Sequence, residues 1–227
     1  MRHLPGILAL CALTLTVACG NQVDRGTALK SVGKKVFRGS KASASAAPSQ
    51  AQLAESINAA LSASNKPLTV AVIENRNGFA VLTQVASNNG YQTWGSADKR
   101  AISTKSGMVT ATRGLGFDLM SAKIDGSLAA VRARRSGASK RYLNFLDGEN
   151  RVVTHAFNCT ITVGASQNIA IGEVSSRVTA VSETCSGVLE GPGYENTYQV
   201  SPSGHILQSR QWLGPQTGYV FLQALRQ

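Results

Sequence analysis

From residue 49 onward the hydrophobic pattern has two rhythms. Ser49–Ser64, SQAQLAESINAALSAS, puts Leu53, Ile57, Ala60 and Leu61 on one side of a 3.6-residue period, which predicts an amphipathic helix. After it the pattern is that of strands. PLTVAVIEN is rich in β-branched residues, and FAVLTQVAS follows Asn77-Gly78, with YQTWGS after Asn89-Gly90. An Asn-Gly pair between apolar runs favours a tight hairpin, because a type I′ turn needs positive φ at both central residues. RAISTK and GMVTAT make a further pair around Lys105-Ser106-Gly107. RYLNFLDGENRVVTHAFNCTITVG reads as strand, Asp147-Gly148 turn and long strand. NIAIGEVSSRVTAVSETC, ENTYQVSPSGHILQSRQWLG and GYVFLQALRQ continue the series. Regularly spaced strands with turn residues between them predict a mainly β fold, one antiparallel meander curled into a barrel-like or sandwich form. The expected division is residues 1–18 as a leader, 19–49 as a tether and 50–227 as a single β-rich domain.

The first fifty residues follow neither rhythm. Met1-Arg2-His3 is followed by an uncharged, almost wholly apolar run from Leu4 to Ala18. At 1.5 Å per residue that run falls short of a hydrocarbon core of roughly 30 Å. A charged start, a short apolar core and a small residue before the cut mark a secretory signal. Leu15-Thr16-Val17-Ala18-Cys19 resembles the bacterial lipobox, with cleavage before Cys19 and acylation of its sulfur and new amino group; Thr16 stands where Leu is usual. Several chains at about 0.8 kcal/mol per methylene anchor stably where one does not. Gly20 rather than Asp after the cysteine resembles the sorting signal for the outer membrane, which implies a lipid-anchored protein facing the periplasm. Asn21–Gln50 has no hydrophobic periodicity, and a segment that buries so little is expected to stay disordered. Thirty such residues reach about 30 Å.

Charge changes the picture at two places. The chain carries +11, and loss of Arg2 with the leader leaves +10. Asp24–Lys41 accounts for +5 of it and Arg132–Arg141, RARRSGASKR, for another +5; elsewhere bases and acids balance. Such clusters attract polyanions with little sequence preference. Outside the cytosol these are anionic lipid headgroups, lipopolysaccharide or acidic exopolysaccharide, so nucleic acid is not an expected partner. The plainer reading of 132–141 is a solvated hairpin loop around Ser136-Gly137-Ala138-Ser139. Both readings stay open, with Arg134 and Arg135 as the candidate contacts.

With Cys11 in the leader and Cys19 acylated, Cys159 and Cys185 remain, and in an oxidising compartment they are expected to pair. His155, four residues before Cys159, raises zinc as a competitor. On a strand that spacing separates the side chains by about 13 Å, too far for one ion. No metal and no cofactor are expected.

MVTATRGLGFDLMSA (108–122) and ENTYQVSPSGHILQSRQWLGPQTGYVFLQAL (195–225) resemble the two signature blocks of the YjbF/GfcB family of capsule and exopolysaccharide lipoproteins. Trp94 after a hairpin, Tyr142–Glu149 and SETC at 182–185 fit in outline. The resemblance implies an outer-membrane lipoprotein that works with polysaccharide export or assembly proteins, and it brings no catalytic residues. Within the blocks, Arg113 and Asp118 flank a glycine turn. They are read either as a pair closing that turn or as a sugar-binding pair. Arg210 and Trp212 share a strand face opposite Gln211, an arrangement suited to holding a sugar, although a tryptophan there is more often core.

The leader aside, the histidines are His155 and His205, and no G-x-S-x-G elbow, H-E-x-x-H helix or phosphate loop occurs. The expectation is a non-catalytic lipoprotein that assists polysaccharide synthesis or export by docking to partner proteins and contacting an anionic glycan. A periplasmic polysaccharide-modifying enzyme remains the alternative, since a carboxylate pair is set by three-dimensional spacing. A structural envelope lipoprotein is the third.

Overall fold

The computed structural model describes residues 50–76, 78–189 and 193–227. The leader, Cys19 and the tether lie outside them. Helix α1 (Gln50–Ala63) comes first, as its periodicity predicts. Twelve strands follow: β1 (Leu68–Ile73), β2 (Gly78–Asn88), β3 (Tyr91–Gly95), β4 (Ala101–Lys105), β5 (Met108–Arg113), β6 (Ser121–Lys123), β7 (Gly137–Leu146), β8 (Val152–Ile171), β9 (Val174–Gly187), β10 (Tyr194–Val200), β11 (Ile206–Trp212) and β12 (Tyr219–Arg226). A second helix, α2 (Asp125–Arg132), joins β6 to β7.

All strands lie in one antiparallel sheet ordered β5-β4-β3-β2-β1-β12-β11-β10-β9-β8-β7-β6. It is two meanders zipped together by the pairing of β1 with β12, Ala71 opposite Leu222. The sheet curls until its edges meet, making a nearly closed barrel. The Thr112 N–H donates to the Leu119 carbonyl at 2.8 Å, a backbone stitch between the end of β5 and the lead-in to β6. Curling removes exposed edges that would otherwise invite pairing with other chains.

Asn89-Gly90 forms the expected tight turn, with φ of 49° and 80° and Asn88 opposite Tyr91. The first Asn-Gly does not act alone. Ile73 pairs with Gly78, and the chain between them makes a 3-10 turn at Glu74–Arg76; Asn77 lies outside the described residues. Gly107, at φ 89°, sits so close to β11 that a Cβ there would lie 2.6 Å from the Ile206 carbonyl oxygen. The barrel is pinched at that point, and Gln211 braces it from within. Its Oε1 accepts from the Val109 N–H at 2.9 Å, and its Nε2 donates to the Gly107 carbonyl at 2.9 Å.

The interior is mostly apolar: Leu82, Ile102, Val109, Leu119, Leu143, Phe157, Val220 and Leu222 form its largest cluster. Helix α1 covers the outside of β1 and β12, with Leu53, Ile57 and Leu61 against Leu68, Val70 and Leu225. The β8–β9 hairpin overhangs the barrel after a register shift between Val163 and Ser166. Its tip returns to the sheet: the Glu173 N–H donates to the Leu225 carbonyl at 2.8 Å, and Glu173 pairs with Arg226. Arg226 also donates to the carbonyls of Leu61 and Ser64. One guanidinium therefore ties helix end, last strand and hairpin tip.

The stretch 132–141 is not a hairpin loop. DGSLAAVR forms α2, burying Leu128, Ala130 and Val131, and β7 already begins at Gly137. Arg141, Leu143 and Phe145 alternate into the interior. The five bases are consequently dispersed over a helix end, a turn and a strand.

Candidate functional site

Arg141 and Glu183 meet inside the barrel. The pairing of β8 with β9 sets Glu183 opposite Ile161, and that of β9 with β10 sets it opposite Asn196. Its Oε2 accepts from Arg141 Nη1 at 2.8 Å, from the Tyr198 hydroxyl at 2.8 Å and from Asn196 Nδ2 at 3.0 Å. Burial opposes ionisation of Glu183, but the Arg141 charge and the hydrogen bonds outweigh it and hold the carboxyl below its ordinary value. Burial likewise works against the Arg141 charge, and the facing carboxylate overcomes it. Burial pushes the phenols of Tyr194 and Tyr198 up.

Two residues along β9, Cys185 lies directly opposite Cys159, and the two form the expected disulfide. Cys159, Cys185 and Glu183 bring potential ligand atoms within 4.8 Å of one another. With both sulfurs bonded to each other, however, no thiolate is present to hold a metal. His155 packs its ring edge-on against Phe145, with centroids 5.5 Å apart.

Arg113 and Asp118 do not pair with each other. Asp118 accepts from the Thr112 hydroxyl at 2.9 Å and from the N–H groups of Gly114 and Leu115 at 2.8 and 3.0 Å. Arg113 donates to the Thr112 carbonyl at 2.5 Å and reaches that of Leu119. Gly114 and Gly116 have φ of 81° and 91°, which the turn requires. Both charged groups thus serve to shape the loop over 114–120, whose tip leaves Phe117 exposed.

Arg210 and Trp212 do lie opposite the buried Gln211, as alternation predicts. Yet Arg210 makes a two-pronged ion pair with Glu74, at 2.6 and 2.8 Å, and lies 3.4 Å above the Tyr219 ring. Trp212 stacks on Tyr194 at 4.7 Å and meets Phe157 edge-on at 5.8 Å. Its backbone N–H donates to Asn196 Oδ1 at 2.8 Å. The second signature block is therefore a packing network joining β10, β11 and β12 to the disulfide layer, rather than an open sugar platform.

Among the five bases of 132–141, Arg132 donates to the Gly204 carbonyl at 3.2 Å and Arg134 to that of Ser201 at 2.5 Å. They clamp the β10–β11 turn. Arg135 and Lys140 are exposed, and their side chains have no partner among the described residues. The fold does not assemble the six candidate contact residues into one site. Alternation in RYLNFL was the signal that Arg141 points inward; nothing in the sequence marked Glu74 or Tyr219 as partners of Arg210.

The family described as group 4 capsule polysaccharide lipoprotein gfcB, YjbF, matches residues 35–225, which reaches upstream of α1 into the segment read as a tether. The crystal structure of the hypothetical lipoprotein YmcC from Escherichia coli (K12) is similar at 15% identity and a TM-score of 0.66. The similarity covers 79% of this chain and 97% of that one. No curated protein matches the chain.

Proposed function

This chain belongs to the YjbF family of group 4 capsule polysaccharide lipoproteins, and from that membership we propose a non-catalytic outer-membrane lipoprotein that assists synthesis or export of a capsule or exopolysaccharide. Cleavage before Cys19 and its acylation provide the anchor, and residues 19–49 form the tether that lets the barrel meet export or assembly proteins in the periplasm. The family match is the observation that carries this reading.

The barrel interior supports a non-catalytic role. Glu183 is the acidic residue buried there among the described residues. It is held ionised by three donors, the opposite of what a glycosidase's general acid needs. Direct contact with an anionic glycan falls to Arg135 and Lys140, whose charges nothing in the described chain neutralises.

Deletion of the gene is expected to lower secreted polymer, while the purified protein leaves polymer length unchanged. Crosslinking in intact cells, followed by capture through a C-terminal tag, is expected to recover an envelope protein of the export apparatus. Polymer shortened by the protein, and spared when a single carboxylate is replaced, would instead establish an enzyme. A normal polymer yield after deletion would leave only a structural envelope role.

A further inference from the structure

At the barrel end carrying the β4–β5 and β10–β11 turns, the interior opens into a cavity of about 280 Å³. Its walls include Trp94, Gln84, Gln92, Thr104, Ser209 and, at the mouth, His205. The strand registers explain the grouping. Gln84 stands opposite Trp94, Gln92 stands opposite Thr104, and Gln92 and Trp94 are two residues apart on β3, so all four share a sheet face. The Trp94 indole N–H donates to Thr104 Oγ1 at 2.9 Å, which fixes the ring in the wall.

This lining differs from the rest of the interior. Elsewhere the inward positions are mostly apolar, and the amide of Gln211 is engaged at both ends. The buried polar atoms left there without a partner among the described residues, Glu183 Oε1, Arg141 Nε and the Tyr194 hydroxyl, are single atoms rather than whole amides facing a cavity. Here the amides of Gln84 and Gln92 are half-buried, with no side-chain partner among the described residues. Partly desolvated amides without partners are costly, and each presents both a donor and an acceptor to the cavity. No Asp or Glu side chain lines the walls, and Arg226 at the rim is taken up by Glu173.

We propose that this cavity is a subsite for one neutral sugar ring of a glycan. A pyranose combines a C–H face, which packs on an indole, with hydroxyls that both donate and accept, matching the two amides. The Thr104 and Ser209 hydroxyls, which already accept from Trp94 and Gln211, are left to donate. The volume lies at the small end of ligand pockets, which suits one ring rather than an oligosaccharide. Arg132 and Arg134 clamp the turn that carries His205, and Arg135 follows them in the chain. A sugar seated in the cavity is thus held beside the basic turn, where an acidic neighbour along the polymer finds a counter-charge. The inference rests on the polysaccharide role proposed above and names the part of the molecule that performs the contact.

The test is saturation-transfer NMR on the full-length lipoprotein in detergent, with glucose, galactose, mannose, N-acetylglucosamine and glucuronic acid as probes. At least one neutral sugar is expected to give saturable transfer, weakened tenfold or more in both Gln84→Leu and Gln92→Leu. The melting temperatures of both variants should stay at that of the parent. Trp94→Phe, which keeps the ring but loses the bond to Thr104, is expected to weaken binding less than either. A response that never saturates for any neutral sugar, or equal binding by the parent and both glutamine variants, would overturn the subsite. The broader role is read separately: a deletion that lowers secreted polymer while no sugar binds rejects the cavity alone, and a deletion without effect on polymer rejects the role.

Discussion

Arg141 on β7 donates to Glu183 on β9 across 2.8 Å, in an interior where the two side chains are 3% and 0% exposed. A pair so enclosed stands on a balance: each charge has lost its water, and only the partner and the surrounding hydrogen bonds offset that loss. Arg141→Met leaves Glu183 uncompensated and is expected to cost about 3–5 kcal/mol in urea unfolding, whereas Arg141→Met/Glu183→Leu recovers a large part of it. A double variant no more stable than the single one would show that the pair is not the stabilising unit.

The same pair is expected to contribute to the acid sensitivity of the fold. Because Glu183 titrates below its ordinary value when folded, its contribution is complete above the unfolded carboxylate value of about 4.3. It is lost as pH falls through the lower, folded value, since protonation then favours the unfolded chain. Urea midpoints followed from neutral pH to about pH 3 should fall less steeply in Glu183→Gln, starting from a lower plateau. Parallel curves for variant and parent would assign the acid sensitivity elsewhere.

Cys159 and Cys185, 26 positions apart, close a loop between the two longest strands. Replacing both with serine is expected to lower stability by about 3–4 kcal/mol in the chain-entropy account. Oxidised parent and double-serine protein should then respond differently to a reductant, with only the parent losing thermal stability.

Arg226 offers a local test. Its bonds to Leu61, Ser64 and Glu173 predict that Arg226→Ala speeds amide exchange at the end of α1 and at the β8–β9 tip, with the inner strands unchanged. Uniformly faster exchange would mean that the residue supports the whole barrel.

Basic residues are expected to differ sharply in their contribution to binding acidic polysaccharide. Arg135→Ala should weaken it and flatten its salt dependence, because that charge is free. Arg210→Ala should change little, since Glu74 already neutralises it. Equal losses in the two variants would refute the assignment.

Most of the β elements were legible because antiparallel strands with one buried face carry a two-residue rhythm that needs no knowledge of partners. DGSLAAVR was the main miss: at eight residues between two strands it shows barely two turns of helical period, and RARRSG beyond it looks like solvent-facing loop. The surroundings of the candidate contacts were illegible for a different reason. Arg113, Asp118, Arg210 and Trp212 are residue types that bind sugars when free, and whether they are free depends on neighbours such as Glu74, which is 136 residues from Arg210.

What the sequence determined alone was local: an amphipathic helix, alternating strands, the tight Asn89-Gly90 turn, and an uncharged apolar run, Leu4–Ala18, that stops at Cys19. Each follows from intrinsic backbone preference or from hydrophobic spacing within a short window. The closure of the sheet, the burial of Arg141 on Glu183 and the meeting of Gln84, Gln92 and Trp94 around one cavity were decided only by the tertiary structure. Strand register selects which distant side chains become neighbours, and a charge or an amide acquires its role only once its surroundings have removed water and supplied, or withheld, a partner.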